Sequence, residues 1–450
     1  MVALRTEQCQ FRAACATGLP LLHSLEPSRR CGATGEDDSG GGAQDGCLLS
    51  AEDCRPTQSA TGGRPDCGLM WESANVKRGK PSNRPLDFYI GIPILNVLAT
   101  FRGRRTLPAQ TERIGILGNP ALGDTLLLSG AVQDIRQRFP SSRLIFFSGK
   151  PNAAAKLLPE IDELQIIPVT RPWEAIREMR SARLDLLIDF TSWQRVTALM
   201  SLYSGARCVV GFQRRGQFRH RGYDATIEHR GDCHELENMR RMTRFLGVEE
   251  HAAPALKLPE AGSAMSNPAS ARRIVFHPWA SGSLRHLREW PEDRWVELAL
   301  RLNNVGRVFV LTGGPGDRER CERLKRKLEA AGVCSEIVTG SSGLEEVATA
   351  LLVAELLVSV NTGVMHLGAI LGVATVALNG PNSEHRWGPV GPRVMNVPTA
   401  DGSGGFLDLG FEFKGRNVME RITVQATVDA AELLLRAKEG LQAAQPVNLE

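Results

Sequence analysis

Residues Leu356 to Pro381 read LLVSVNTGVMHLGAILGVATVALNGP. One apolar run stops at Asn361-Thr362-Gly363, a short helical pattern follows, and a second apolar run stops at Asn379-Gly380-Pro381. Continuous apolar runs bounded by Gly, Asn and Pro are the signature of strands buried on both faces. Strand, helix, strand at this spacing makes the two strands parallel and brings both strand ends and the helix N-terminus to one edge of a sheet. The unpaired N–H groups of that helix turn favour an anion.

The alternation extends upstream. From Arg272 the chain runs RIVFHP, EDRWVELALRLN, RVFVLTGG, GDRERCERLKRKLEAA, SEIVTG and LEEVATALLVA, strand and helix in turn, before reaching the opening stretch. An earlier series starts at Arg113 with RIGILG, the turn NPALGD, and TLLLSGAVQDIRQRF, whose Leu128, Val132, Ile135 and Phe139 form one stripe. RLIFFSG, LQIIPV, LDLLIDF and CVVGF continue it as strands, with NAAAKLLPE, PWEAIREMRSA and SWQRVTALMSLYSG read as helices. The segment 256–271 between the series is rich in Ala, Pro and Ser and reads as a linker. The expectation is an α/β protein of two Rossmann-like, doubly wound domains, 111–255 and 272–436, facing each other across a cleft, with a tail over 437–450. GxGxxG is absent, which disfavours a dinucleotide redox cofactor.

Residues 1–84 lack apolar periodicity and read as a disordered extension without a signal-peptide core. Residues 85–110 include an apolar stretch broken by Gly91 and Pro93 and followed by Arg102, Arg104 and Arg105. A bilayer span needs roughly 20 apolar residues. The segment therefore suits either an interfacial anchor or a helix packed on the first domain. A net charge of +4 over 450 residues does not argue for nucleic acid, but Arg207 to Arg221 holds five Arg and no acid, which suits an anionic ligand or a membrane surface, or else a solvated loop. Six of ten Cys fall before residue 68 and none forms a ligand pattern, so the body reads as reduced and cytoplasmic.

The polar candidates cluster at strand ends. Gly118, Asn119, Gly123 and Asp124 lie at the first turn, Asp124 being also a natural helix cap. Gly313, Gly314, Asn361, Thr362, Gly363 and Asn379 end later strands, and HPWASGSLRHLREWPEDRW (His277 to Trp295) reads as a phosphate-holding flap with Ser281, Ser283, Arg285, His286 and Arg288.

LGDTLLLSGAVQDIRQRFP, GARCVVGFQRRG, the flap, LTGGPGDRE, VNTGVMHLGAILGVATVALNGP and RWGP, in this order, resemble glycosyltransferase family nine, the lipopolysaccharide heptosyltransferases. The resemblance implies a GT-B fold, inverting transfer and no obligatory metal or other cofactor. Asp124 matches the family's proposed base. Arg288 stands where many members have a donor-phosphate Lys, and Asn361-Thr362-Gly363 stands where the family has Asp-Thr-Gly. His366 completes that donor motif, and Arg214 and Arg215 fall in the acceptor-side loop. The partners implied are a nucleotide-sugar donor, ADP-heptose favoured, and a glycolipid acceptor, with the enzyme peripheral on the cytoplasmic face of the inner membrane. A nucleotide-sugar epimerase on the same fold, or a catalytically idle binding protein, are the alternatives. Asn361 is expected either to reach the donor, relaxing its specificity, or merely to cap the helix.

Overall fold

The computed structural model describes residue 89, the helix 91–100, and residues 103–443 apart from 120, 150–151, 259–271, 283–284, 305, 340–342 and 407–416. The expected extension 1–84, Arg102, Ser283, most of the linker and the end of the tail lie outside the described residues.

Two six-stranded sheets organise the chain. The first contains β1 (Arg113–Gly118), β2 (Arg143–Ser148), β3 (Glu163–Ile166), β4 (Leu186–Asp189), β5 (Cys208–Gln213) and β6 (Ala225–Glu228), in the order β3-β2-β1-β4-β5-β6. The second contains β7 (Arg272–His277), β8 (Arg307–Thr312), β9 (Ser335–Val338), β10 (Leu356–Val360), β11 (Thr375–Asn379) and β12 (Val394–Pro398), in the order β12-β11-β10-β7-β8-β9. Every pairing is parallel. Strand order reverses between β1 and β4 and between β7 and β10, where doubly wound sheets open a crevice beyond the strand ends.

The helices in chain order are α1 (Gly91–Thr100), α2 (Leu122–Arg138), α3 (Pro172–Ser181), α4 (Arg195–Tyr203), α5 (Glu235–Phe245), α6 (Glu292–Leu302), α7 (Arg318–Ala330), α8 (Leu344–Leu352), α9 (Gly363–Ile370), α10 (Glu384–Trp387) and α11 (Val424–Ala443). Strand alternation sorts their partners. In β1, Ile114 and Ile116 pack with Leu128, Val132 and Ile135 of α2, whereas Leu117 packs with Ile176 of α3 and Met200 of α4. In β7, Ile274 and Phe276 meet Trp295, Leu324 and Ala431, whereas Val275 meets Leu344 and Val347. That last cluster also takes in Leu126, Ala154 and Leu157 of the first half, so the two halves share a core within one compact unit.

Two local readings are corrected, and of the two readings of residues 85–110 the packed helix is the one seen. NAAAKLLPE forms a single 3-10 segment, Ala153–Leu157, because Asn152 caps it by accepting from Ala154 N and Pro159 follows immediately. Strands β6 and β12 and helices α5, α10 and α11 are additions to the expected series. Finally, α1 is packed on the first half. It contacts α4 and the 3-10 turn Arg219–Gly222, and Leu95 is 1% exposed. Burying that one side chain contributes about 2 kcal/mol to docking. Among the described residues no helix is long and apolar enough to cross a membrane.

Candidate functional site

Strand β1 ends at Gly118, where a Cβ would strike the Phe146 ring at 2.2 Å, so sheet packing requires this glycine. The next turn is fixed from both sides. Thr125 Oγ1 donates toward the Asn119 and Ala121 carbonyls, and Asn152 Nδ2 donates to Thr125 Oγ1 at 2.7 Å. Helix α2 begins at Leu122 with Ala121 at the cap position, so Asp124 is not the cap but a first-turn residue. There its charge is favoured by the helix N-terminus. Asn119 Nδ2 donates to one Asp124 carboxylate oxygen at 2.5 Å, which orients the carboxyl, and the residue is half-buried.

The start of α9 meets this turn. A Cβ on Gly123 would lie 2.9 Å from His366 Cδ2 and 3.6 Å from Gly363 Cα, and one on Gly363 would lie 2.4 Å from a Leu122 methyl. Both glycines are thus what allows the helix N-termini of the two halves to approach. Thr362 holds the cap position of α9 without a side-chain capping bond, and its hydroxyl lies 3.4 Å from Ser359 Oγ. His366 is buried, and burial first, then the neighbouring His234, pushes its pKa down to about 3.

Asn361 does not cap α9. Its Nδ2 donates to Asn379 Oδ1 at 2.8 Å and to the Trp387 carbonyl at 3.0 Å, while Asn379 Nδ2 donates to Asn396 Oδ1 at 2.6 Å. Three amides, one just past β10 and the others on β11 and β12, therefore form a ladder that holds the end of α10, and both Asn361 amide protons are spent on it.

In the flap, Arg288 Nη2 donates to the Ser281 carbonyl. Burial lowers the Arg288 pKa, with Glu289 opposing, yet a guanidinium stays cationic. The flap is anchored below: Glu289 accepts from Ala280 N and pairs with Arg320, whose guanidinium lies 4.0 Å from the Trp279 ring centre. Gly313 carries no side chain because a Cβ would sit 2.8 Å from Asp317 Cβ. Gly314 N donates to Asp317 Oδ2.

The basic run splits by role. Arg219 is buried and meets Asp189 at 3.3 Å, and Tyr223 OH donates to the same Asp189 oxygen at 2.7 Å, so this arginine belongs to the core. Arg214 stacks 5.1 Å from the Trp193 ring centre, and Arg215 is exposed.

A junction between the halves escapes the sequence reading. Arg386 Nη2 pairs with Glu235 at 2.7 Å and its Nη1 donates to the Cys233 carbonyl at 2.6 Å, both charged groups being buried. Glu235 also contacts His229 Nε2 at 3.0 Å, and His234 Nε2 meets the Gly388 carbonyl at 3.0 Å.

Two parallel α/β halves that bring their strand-end loops together define the GT-B class of architecture. Residues 173–403 match the model of glycosyltransferase family 9 (heptosyltransferase), and the chain belongs to that family. It is 34% identical to lipopolysaccharide heptosyltransferase 1 of Salmonella typhimurium over 28% of this chain and 39% of that protein. It is 28% identical to the Pseudomonas aeruginosa protein of the same name over 50% of this chain and 62% of that one. The chain thus spans less than two thirds of these curated relatives. Escherichia coli ADP-heptose lipopolysaccharide heptosyltransferase II shares the fold, with a TM-score of 0.60 at 20% identity, covering 73% of this chain and 99% of that one.

Proposed function

We propose that this protein is an inverting glycosyltransferase that moves heptose from ADP-heptose to a lipopolysaccharide-core glycolipid. The observation that carries the reading is the meeting of the Asp124 turn with the start of α9, Gly123 lying against His366 and Gly363. A base and an anion-binding helix end then face one another from different halves, as a two-substrate transfer requires. The first half takes the acceptor and the second the donor. The family membership supports the reaction class, and the names of the relatives supply heptose, ADP and lipopolysaccharide.

The acceptor hydroxyl oxygen attacks the anomeric carbon while the bond to the diphosphate oxygen breaks on the opposite face. Asp124 takes the hydroxyl proton, and Asn119 keeps its carboxyl turned for that transfer. Charge accumulates on the departing diphosphate. Thr362, Gly363 and the N-terminal amides of α9 stabilise it, together with Arg288 swinging from the Ser281 carbonyl. Ser281 shapes the flap around the phosphates. Gly118 and Gly123 keep the acceptor turn tight, and Arg214 and Arg215 meet an anionic acceptor.

The acceptor is a lipid, and we place the enzyme at the cytoplasmic face of the inner membrane through α1 and the neighbouring basic turn. Tyr89 is 74% and Val97 59% exposed on α1 and its approach. Phe218 is 39% exposed at φ 60° beside exposed Arg215 and Arg221. Aromatic and apolar groups among arginines suit an anionic interface.

The test is ADP release from ADP-heptose with and without heptose-free lipopolysaccharide core. Release should require the acceptor, and Asp124→Asn should cut it by about 100-fold or more while donor affinity stays within about twofold. Release without sugar transfer, or a fully active Asn variant, overturns the reading.

A further inference from the structure

Three strands of the second sheet end alike. RIVFH, RVFVLT and LLVSV each carry a polar residue late in an apolar run: His277 in β7, Thr312 in β8 and Ser359 in β10. Their register aligns them. His277 pairs with Ser359 across β7 and β10, and Phe276 pairs with Leu311, which sets His277 beside Thr312. Parity gives their direction. Val275, Val310 and Leu357, two residues earlier in each strand, point into the cluster shared with Leu126 and Leu122 of the first half. The polar row therefore lies on the face turned toward the first half, at the strand ends and at the β7/β10 reversal where the crevice opens.

The hydrogen bonds fix the proton on His277. Thr312 Oγ1 lies 3.1 Å from the Phe276 carbonyl, which can only accept, and 2.9 Å from His277 Nδ1. One hydroxyl proton serves the carbonyl, so Nδ1–H donates to Thr312 and Nε2 keeps its lone pair. Among the described residues Nε2 has no partner, and His277 as a whole keeps 6% of its surface exposed. Burial lowers the pKa to about 4, so the ring is neutral near pH 7.

We propose that His277 Nε2 accepts a hydrogen bond from a hydroxyl of the nucleotide half of the donor, making His277 a specificity-determining residue of the donor site. The inference rests on the donor reading above. The phosphates lie at the start of α9, which leaves β10, and the reacting sugar must turn toward Asp124 in the first half. What remains over β7 and β8 is the nucleoside. One strand spacing, about 4.8 Å, separates β10 from β7, a span that takes a ligand from its phosphate to the ribose it is attached to. A neutral acceptor at that point selects a hydroxyl donor and offers nothing to a further phosphate.

The experiment measures binding of ADP, 2′-deoxy-ADP and 3′-deoxy-ADP by titration calorimetry to wild type, His277→Asn and His277→Gln, with thermal melts to verify folding. The Asn amide reaches the Nδ1 position and keeps the Thr312 bond without replacing Nε2, and the Gln amide reaches Nε2. Wild type should bind one deoxy analogue about 10-fold more weakly than ADP. The Asn variant should bind ADP about 10-fold more weakly and lose that preference, while Gln restores most of it. Equal preference in wild type and the Asn variant, or none in wild type, overturns the His277 role and leaves the donor reading standing. Failure of wild type to bind ADP at all removes both. Should the His277→Asn variant unfold, His277→Ser, whose hydroxyl cannot reach the Nε2 position, takes its place, with the same loss of preference expected and an unchanged preference overturning the role.

Discussion

Replacing Asn361 with Asp creates the Asp-Thr-Gly that the family resemblance implies, yet the structure assigns it a cost. Both amide protons of Asn361 are committed, at 2.8 Å to Asn379 Oδ1 and at 3.0 Å to the Trp387 carbonyl. A carboxylate brings two oxygens to two acceptors. Rotating the Asn379 amide recovers one contact, and Asn396, which is exposed, can rotate in turn, but the carbonyl of Trp387 cannot become a donor. One lost bond of about 1 kcal/mol, plus about 1–3 kcal/mol for a buried acceptor left unpaired against a charge, gives about 2–4 kcal/mol of destabilisation. For a unit the size of this half, that lowers Tm by about 4–16 °C at pH 8. The sign with pH follows. In the fold a protonated carboxyl at position 361 could donate to Trp387 O, so its folded pKa lies above the unfolded one; the variant recovers stability as pH falls and loses it as pH rises through the folded value. Calorimetric melts of wild type and Asn361→Asp at pH 5 and pH 8 should show a larger gap at pH 8. Melts within about 1 °C of each other at both pH values would refute the ladder and restore a capping role, at which Asn and Asp are equivalent.

Further outcomes follow from the same geometry. Arg288→Ala should raise the donor KM about tenfold and slow transfer, and unchanged donor affinity in a steady-state assay would remove Arg288 from the phosphate site. Arg386→Met strips the partner from Glu235 across the junction and should cost about 3–5 kcal/mol in denaturant unfolding, whereas a loss under about 1 kcal/mol would make the pair incidental. His277 and His366 have folded pKa values near 4 and 3, below the unfolded value. The unfolded chain therefore takes up their protons first, and stability is lost as pH falls below about 6.5, on the order of 2 kcal/mol for each histidine at pH 5. Denaturant midpoints equal at pH 7.5 and pH 5 would contradict their buried, neutral state.

Periodicity and punctuation carried most of the fold. Apolar runs ending in Gly, Asn or Pro marked the central strands, because strands buried on both faces tolerate little else. The missed pieces were those without that pattern. β6, Ala225–Glu228, is a half-exposed edge strand with a mixed sequence. α5 looks polar because its buried face carries Glu235, Asn238 and Thr243 beside Leu236, Met239 and Met242. For the site, residue type located Asp124, Arg288 and Thr362 at strand ends, but pairwise geometry lies beyond local pattern. Arg219 read as part of a basic surface and is buried against Asp189, 30 residues earlier in the chain. Asn361 read as a cap or a ligand contact and is tied to residues 18 and 26 positions later. His277 passed unnoticed because a single His ending a strand acquires meaning only from its neighbours in register, Thr312 and Ser359.

In the proposed reaction a carboxylate from one half and a phosphate-binding helix end from the other act on opposite faces of one anomeric carbon. The most direct measurement is the anomeric configuration of the sugar transferred by wild-type protein from ADP-heptose to heptose-free lipopolysaccharide core, read by NMR on the isolated product. Inversion relative to the donor, abolished together with turnover in Asp124→Asn, is the result the geometry predicts. Retention of configuration, or an inverted product formed at undiminished rate by the Asn variant, would contradict it.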